Sequence, residues 1–130
     1  MLAKYVAIDI GMTNIDMIIE DDAGLQYKMM KNLQKDPANQ VREALGAVED
    51  DLESGMTIGV TGGRYRQLPD EVDGYTLQKV DEMHALGAGG LAMAGLEAGL
   101  VVSAGTGSAM VAASKLWVQH VTGSAVGGGT

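Results

Sequence analysis

A mixed α/β fold, begun twice on one plan, is what this 130-residue sequence predicts. Three observations carry that expectation. Short β-branched runs are closed by glycine, two stretches place apolar residues at helical spacing, and the opening order of elements recurs near residue 98. Tyr5–Ile10 is a buried strand stopped by Gly11, Ile15–Glu20 is a second, and Leu25–Met30 returns after the Asp21–Gly24 turn. Three strands joined by tight turns make an antiparallel meander.

Asp36 and Pro37 then open a helix, as N-cap and first helical residue. Val41, Leu45, Val48 and Leu52 follow at helical spacing, with Gly55 as the expected C-terminal cap. Met56–Thr61 is another strand, ending in Gly62 and Gly63. A polar loop with Arg64, Arg66 and Pro69 leads to an extended piece at Tyr75–Leu77. A second helix is predicted from about Val80 to Gly95; its interior glycines imply that another backbone comes close. Leu100–Ala104, Ser108–Ala113 and Leu116–Val121 read as three further strands. The expected organisation is a first lobe over residues 1–97 and the opening strands of a second, truncated lobe over 98–130.

Composition sets limits on function. Nine basic against seventeen acidic residues leave a net charge of −8, which argues against a nucleic-acid or anionic-membrane surface. An anionic ligand is still allowed, since backbone amides and a bound cation supply local positive potential. The absence of cysteine removes disulfides, thiolate metal sites, iron–sulfur ligation and thiol nucleophiles. Asp9 interrupts the first apolar run too early for a signal peptide, and His84, Glu97 and several glycines interrupt the run from Met83 to Val102, so a cytoplasmic protein is expected. Nineteen glycines, about twice the usual share of roughly 7%, need places where side chains are unwelcome.

Four segments carry candidate chemistry. Asp9-Ile10-Gly11-Met12-Thr13-Asn14 puts a carboxylate at a strand end beside a glycine and a hydroxyl. That combination suits a phosphate tail with Mg²⁺, or else an Asp that simply caps free amides. Ser103-Ala104-Gly105-Thr106-Gly107-Ser108 occupies the same place in the second copy of the plan; it is a second amide-rich phosphate loop or an ordinary glycine hairpin. In Val80-Asp81-Glu82-Met83-His84, Asp81 is explained by the helix dipole, while Glu82 stands beside a small apolar helix face and suits a general base. His84 lacks partners at ligand spacing. Val121–Thr130 ends in Gly127-Gly128-Gly129, a glycine run suited to nucleotide approach. Neither a P-loop, a dinucleotide fingerprint nor a serine-hydrolase elbow is present.

Together these segments resemble the actin-like ATPase superfamily of sugar kinases, acetate kinase and heat-shock chaperones, and within it most closely the type II pantothenate kinases. Asp9–Thr13 resembles the first phosphate motif, Thr61-Gly62-Gly63 the strand-end glycines, Val80–Met83 the segment with the catalytic glutamate, Ala104–Ser108 the second phosphate motif, and Val121–Thr130 the nucleotide segment. The resemblance implies a ribonuclease H-like, actin-type lobe of a three-stranded meander plus βα units. It implies ATP and Mg²⁺ as cofactors, with Asp9 positioning the metal. Gly11, Thr13, Gly105, Thr106, Gly107, Ser108 and Gly127–Gly129 would meet nucleotide and phosphates. Glu82 would take the proton of a pantothenate hydroxyl, and His120 and Gly123 would lie on the substrate side. His120 stands where the family has arginine, and Asn14-Ile15-Asp16 places a carboxylate where it has a lysine. With the second lobe incomplete, weak ATP binding and little kinase activity are expected of the chain as given. The expected partners are pantothenate or an analogue, and a second copy or the remainder of the second lobe. Two alternatives are a reactivating or activator ATPase of the same superfamily and a non-catalytic assembly module; the cysteine-free chain does not suit an iron–sulfur dehydratase activator.

Overall fold

The computed structural model describes residues 3–104, 108–115 and 117–124. Two compact units divide between Val80 and Asp81.

In the first unit, strands β1 (Tyr5–Ile10), β2 (Asn14–Asp21) and β3 (Gly24–Lys31) form the antiparallel meander. Strict alternation decides which face is core: Val6, Ile8 and Ile10 of β1 and Ile15, Met17 and Ile19 of β2 are buried, while Tyr5, Ala7 and Asp9 point the other way. Helix α1 (Pro37–Ala47) contributes Val41, Ala44 and Leu45 to the same core. Val41 and Leu45 each contribute about 1.5–3 kcal/mol relative to an exposed side chain, and the Ala44 methyl less. The Asp36 carboxylate accepts from the Asn39 amide at 3.1 Å and caps the helix start. The helix stops at Ala47, short of the expected cap at Gly55. Glu49, Asp50 and Asp51 would put three carboxylates at the negative end of the dipole, and they form a separate 3-10 turn instead.

Strands β4 (Thr57–Thr61) and β6 (Tyr75–Lys79) extend the sheet in parallel with β1. A two-residue strand, β5 (Glu71–Val72), pairs antiparallel with β6 across Asp73 and Gly74, both at positive φ. The full order is β3-β2-β1-β4-β6-β5.

In the second unit, helix α2 (Glu82–Ala94) is capped by Asp81, which accepts from the His84 amide at 3.1 Å, and ends at left-handed Gly95. Strands β7 (Ala98–Ala104), β8 (Ser108–Ser114) and β9 (Val118–Ser124) form a second antiparallel meander. A Cβ on Gly87 would stand 3.1 Å from Ala113 and Val118 side-chain atoms, and one on Gly90 2.6 Å from Val101. The close neighbours of these helical glycines are therefore side chains of the sheet, not another backbone. Helix α2 packs on β7–β9. Among the described residues no helix is long and apolar enough to cross a membrane.

Candidate functional site

The parallel strands β1, β4 and β6 bring their carboxyl ends together, the edge of an open α/β sheet where ligand crevices form. Asp9 and Thr61 are register partners at that edge. The Thr61 hydroxyl donates to the Val80 carbonyl at 2.8 Å, and the Val80 amide donates to Val60 at 2.8 Å, tying the ends of β4 and β6 together.

Asp9 projects from the face opposite the core, directly across from Asp16 of β2. Desolvation at the strand end, and then the Asp16 charge, push its carboxyl above the usual value of 3.8. Asp16 accepts a short hydrogen bond from the Tyr27 hydroxyl, and this bond to a carboxylate is the main cause that pushes the phenol up. Asp9 and Asp16 thus place two carboxyl groups opposite one another near one open strand end, and a cation there would offset both effects on Asp9.

Between β1 and β2, residues Gly11–Asn14 form a turn whose carbonyls are largely occupied. The Gly11 amide donates to the Asn14 carbonyl at 2.9 Å, the Asn32 side-chain nitrogen to the Gly11 carbonyl at 2.8 Å, and the Asn32 backbone amide to the Thr13 carbonyl at 2.8 Å. Among the described residues the Met12 and Thr13 amides make no hydrogen bond. Such a turn is biased towards donors, which is what anionic oxygens require. Asn32 Oδ1 is buried without a partner among the described residues, a cost of about 1–3 kcal/mol.

Gly62, just past β4, completes the edge. A Cβ there would lie 2.3 Å from the Ile10 carbonyl oxygen, and its φ of 139° excludes ordinary side chains. Glycine at this position lets the backbone after β4 pack directly against the end of β1.

The structure therefore brings Asp9, Gly11 and Thr13 to one place, with Gly62. Glu82, half-buried in the first turn of α2, belongs to the second unit. Ser108 opens β8 opposite Ser124, while Gly123 and exposed His120 lie on β9, paired with Ala109 and Val111 of β8. Gly105, Thr106, Gly107 and Gly127–Gly129 lie outside the described residues. Asn32 went unnoticed in the sequence because it approaches the turn through the β2–β3 hairpin, twenty-one residues from its Gly11 partner.

No group of three or more His, Asp or Glu side chains able to hold a metal occurs among the described residues. Mg²⁺ suits this donor set nonetheless: it keeps several waters and takes one or two carboxylates plus substrate phosphates. Asp9, with Asp16 beside it, provides that pair.

No protein-family model matches the chain, and no curated protein matches it. Solved structures do. The ethanolamine utilization protein EutJ from Carboxydothermus hydrogenoformans is similar over 95% of this chain and 52% of its own, with TM-score 0.62 and 19% identity. Lmo2764, a putative N-acetylmannosamine kinase from Listeria monocytogenes, is similar over 88% of this chain and 48% of its own (TM-score 0.58, 15% identity). The activator of the 2-hydroxyisocaproyl-CoA dehydratase from Clostridium difficile, with bound ADPNP, is similar over 90% and 45% (TM-score 0.50, 16% identity). The chain spans about half the length of these structures. They are members of the actin-like ATPase superfamily, and at 15 to 19% identity the likeness is one of fold: this chain has the mixed α/β architecture of that superfamily, a mixed sheet followed by a second, small sheet.

Proposed function

We propose that this chain holds the phosphate tail of Mg-ATP at the Asp9 end of its first sheet and serves ATP-dependent phosphoryl transfer. The observation that carries this reading is the Gly11–Asn14 turn, with its carbonyls engaged and the Met12 and Thr13 amides making no hydrogen bond among the described residues, immediately beside the Asp9 carboxylate. Phosphoryl transfer asks little covalent chemistry of the protein and mostly positioning and charge neutralisation. Bound Mg²⁺ would neutralise the phosphate oxygens. Asp9 would orient it, and the Met12 and Thr13 amides would donate to phosphate oxygens. The nucleotide-bound activator of the same fold supports a nucleotide as the ligand class.

The finer reading takes pantothenate as acceptor and Glu82 as the base that removes its hydroxyl proton. Its support is the sequence resemblance through Val80–Met83. The test is incubation of the chain with Mg-ATP labelled at the γ-phosphate, with and without pantothenate. A low yield of labelled phosphopantothenate, absent in Glu82→Gln, is the expected outcome. Phosphate release indifferent to pantothenate would overturn the acceptor and favour a partner-directed ATPase. No consumption and no binding of ATP would overturn the whole reading.

A further inference from the structure

Asn32 belongs neither to the turn nor to the strand that carries Asp9. It follows β3 directly, yet two of its groups are spent on the turn. Its backbone amide donates to the Thr13 carbonyl and its Nδ2 to the Gly11 carbonyl, each at 2.8 Å. Those two carbonyls, left loose, could rotate outward and meet a phosphate oxygen with like charge. Pinned inward, they fix the peptide planes on either side of Met12 and Thr13. A side chain that served only as a brace would be expected to satisfy its other end as well. Here Oδ1 stays buried without a partner among the described residues, so the position is specified by the donor it supplies.

We propose that Asn32 is a positioning residue of the phosphate site, which holds the Gly11–Asn14 turn in its donor-outward state. The inference rests on the phosphate reading above and adds a residue to it. Asn32→Asp is the sharpest variant, because it keeps the shape and the backbone bond to Thr13 but turns an acceptor towards the Gly11 carbonyl. Asn32→Ala removes the donor without adding repulsion. Mg-ATP affinity by calorimetry, thermal melting, and amide hydrogen exchange at residues 11–14 of the nucleotide-free chain are measured for both variants and for Asp9→Asn.

Expected are faster exchange at the turn in both Asn32 variants and about tenfold weaker Mg-ATP binding in Asn32→Ala. Asn32→Asp is expected to bind more weakly still, with melting temperatures close to that of the parent chain. Parent-like affinity in both variants, while Asp9→Asn still weakens binding, would overturn the Asn32 proposal and leave the phosphate site standing. Affinity that falls only in proportion to melting temperature would reduce Asn32 to a brace and also overturn it. Binding too weak to detect in the parent chain itself would overturn the phosphate reading, and this inference with it.

Discussion

Asp9 is held where its charge is disfavoured, by desolvation first and by the facing Asp16 carboxylate second. The linkage follows from the sign: the folded chain holds this proton more tightly than the unfolded one. That contribution to stability is complete below the unfolded value of 3.8 and is lost as pH rises through the raised folded value. Asp9→Asn, which resembles the protonated form, is therefore expected to melt higher than the parent chain at pH 7, with the gap closing below about pH 4. Melting curves across that range check it; a variant less stable than the parent at pH 7 would contradict the cause assigned here. A residue that weakens the fold and is proposed to serve ligand binding fits the usual exchange of stability for function. Gly62 makes the opposite kind of demand. Gly62→Ala brings a Cβ to 2.3 Å from the Ile10 carbonyl oxygen at positive φ, and is expected to lower unfolding free energy by about 1–3 kcal/mol in urea titrations.

At the scale of elements, α2 offers two adjacent glycines with opposite expected outcomes. Gly89 has nothing within 4 Å of an added Cβ, so Gly89→Ala is expected to stabilise by about 0.5–1 kcal/mol through helix propensity. Gly90→Ala meets the stiff Val101 side chain at 2.6 Å and is expected to destabilise by about 1–3 kcal/mol. Denaturant unfolding of the two variants separates them by sign. The elements themselves were legible where the signal is local. The β-branched run Tyr5–Ile10 closed by Gly11 marked β1, the run Ile15–Glu20 before the Asp21–Gly24 turn marked β2, and Asp36-Pro37 marked the start of α1. The end of α1 was not legible, because Val48 and Leu52 continue the apolar period after the carboxylates of residues 49–51 have made the helix unfavourable. Strand β5 has two residues and pairs with β6 across Asp73-Gly74, a local hairpin signal that the reading of a single extended piece at Tyr75–Leu77 left unused. The packing of α2 on β7–β9 depends on Val101, Ala113 and Val118, all beyond the helix in sequence. The same reason divides the site. Asp9, Gly11 and Thr13 were readable as one short motif, while Asn32 and the Asp16–Tyr27 bond come from strand pairing.

The whole molecule carries −8 and is proposed to bind an anion, so its long-range field opposes the ligand and short-range donors must win. Salt screens the field far more than it screens donors in contact with the ligand. Mg-ATP affinity is therefore expected to hold or rise as ionic strength increases from about 0.05 to 0.2 M at fixed free Mg²⁺, whereas a basic surface would lose affinity steeply. The chain spans about half the length of the solved structures it matches, and the Gly11–Asn14 turn, Asp9 and Asn32 all lie in the first of its two compact units. In that unit the deciding property is whether Asp9 and its turn bind a polyphosphate. Calorimetric titration of the chain with Mg-ATP, beside Asp9→Asn, tests it most directly. Saturable binding in the parent chain, weakened about tenfold or more in Asp9→Asn and restored by no increase in salt, is the outcome this account expects. Equal affinity in the two proteins would contradict it.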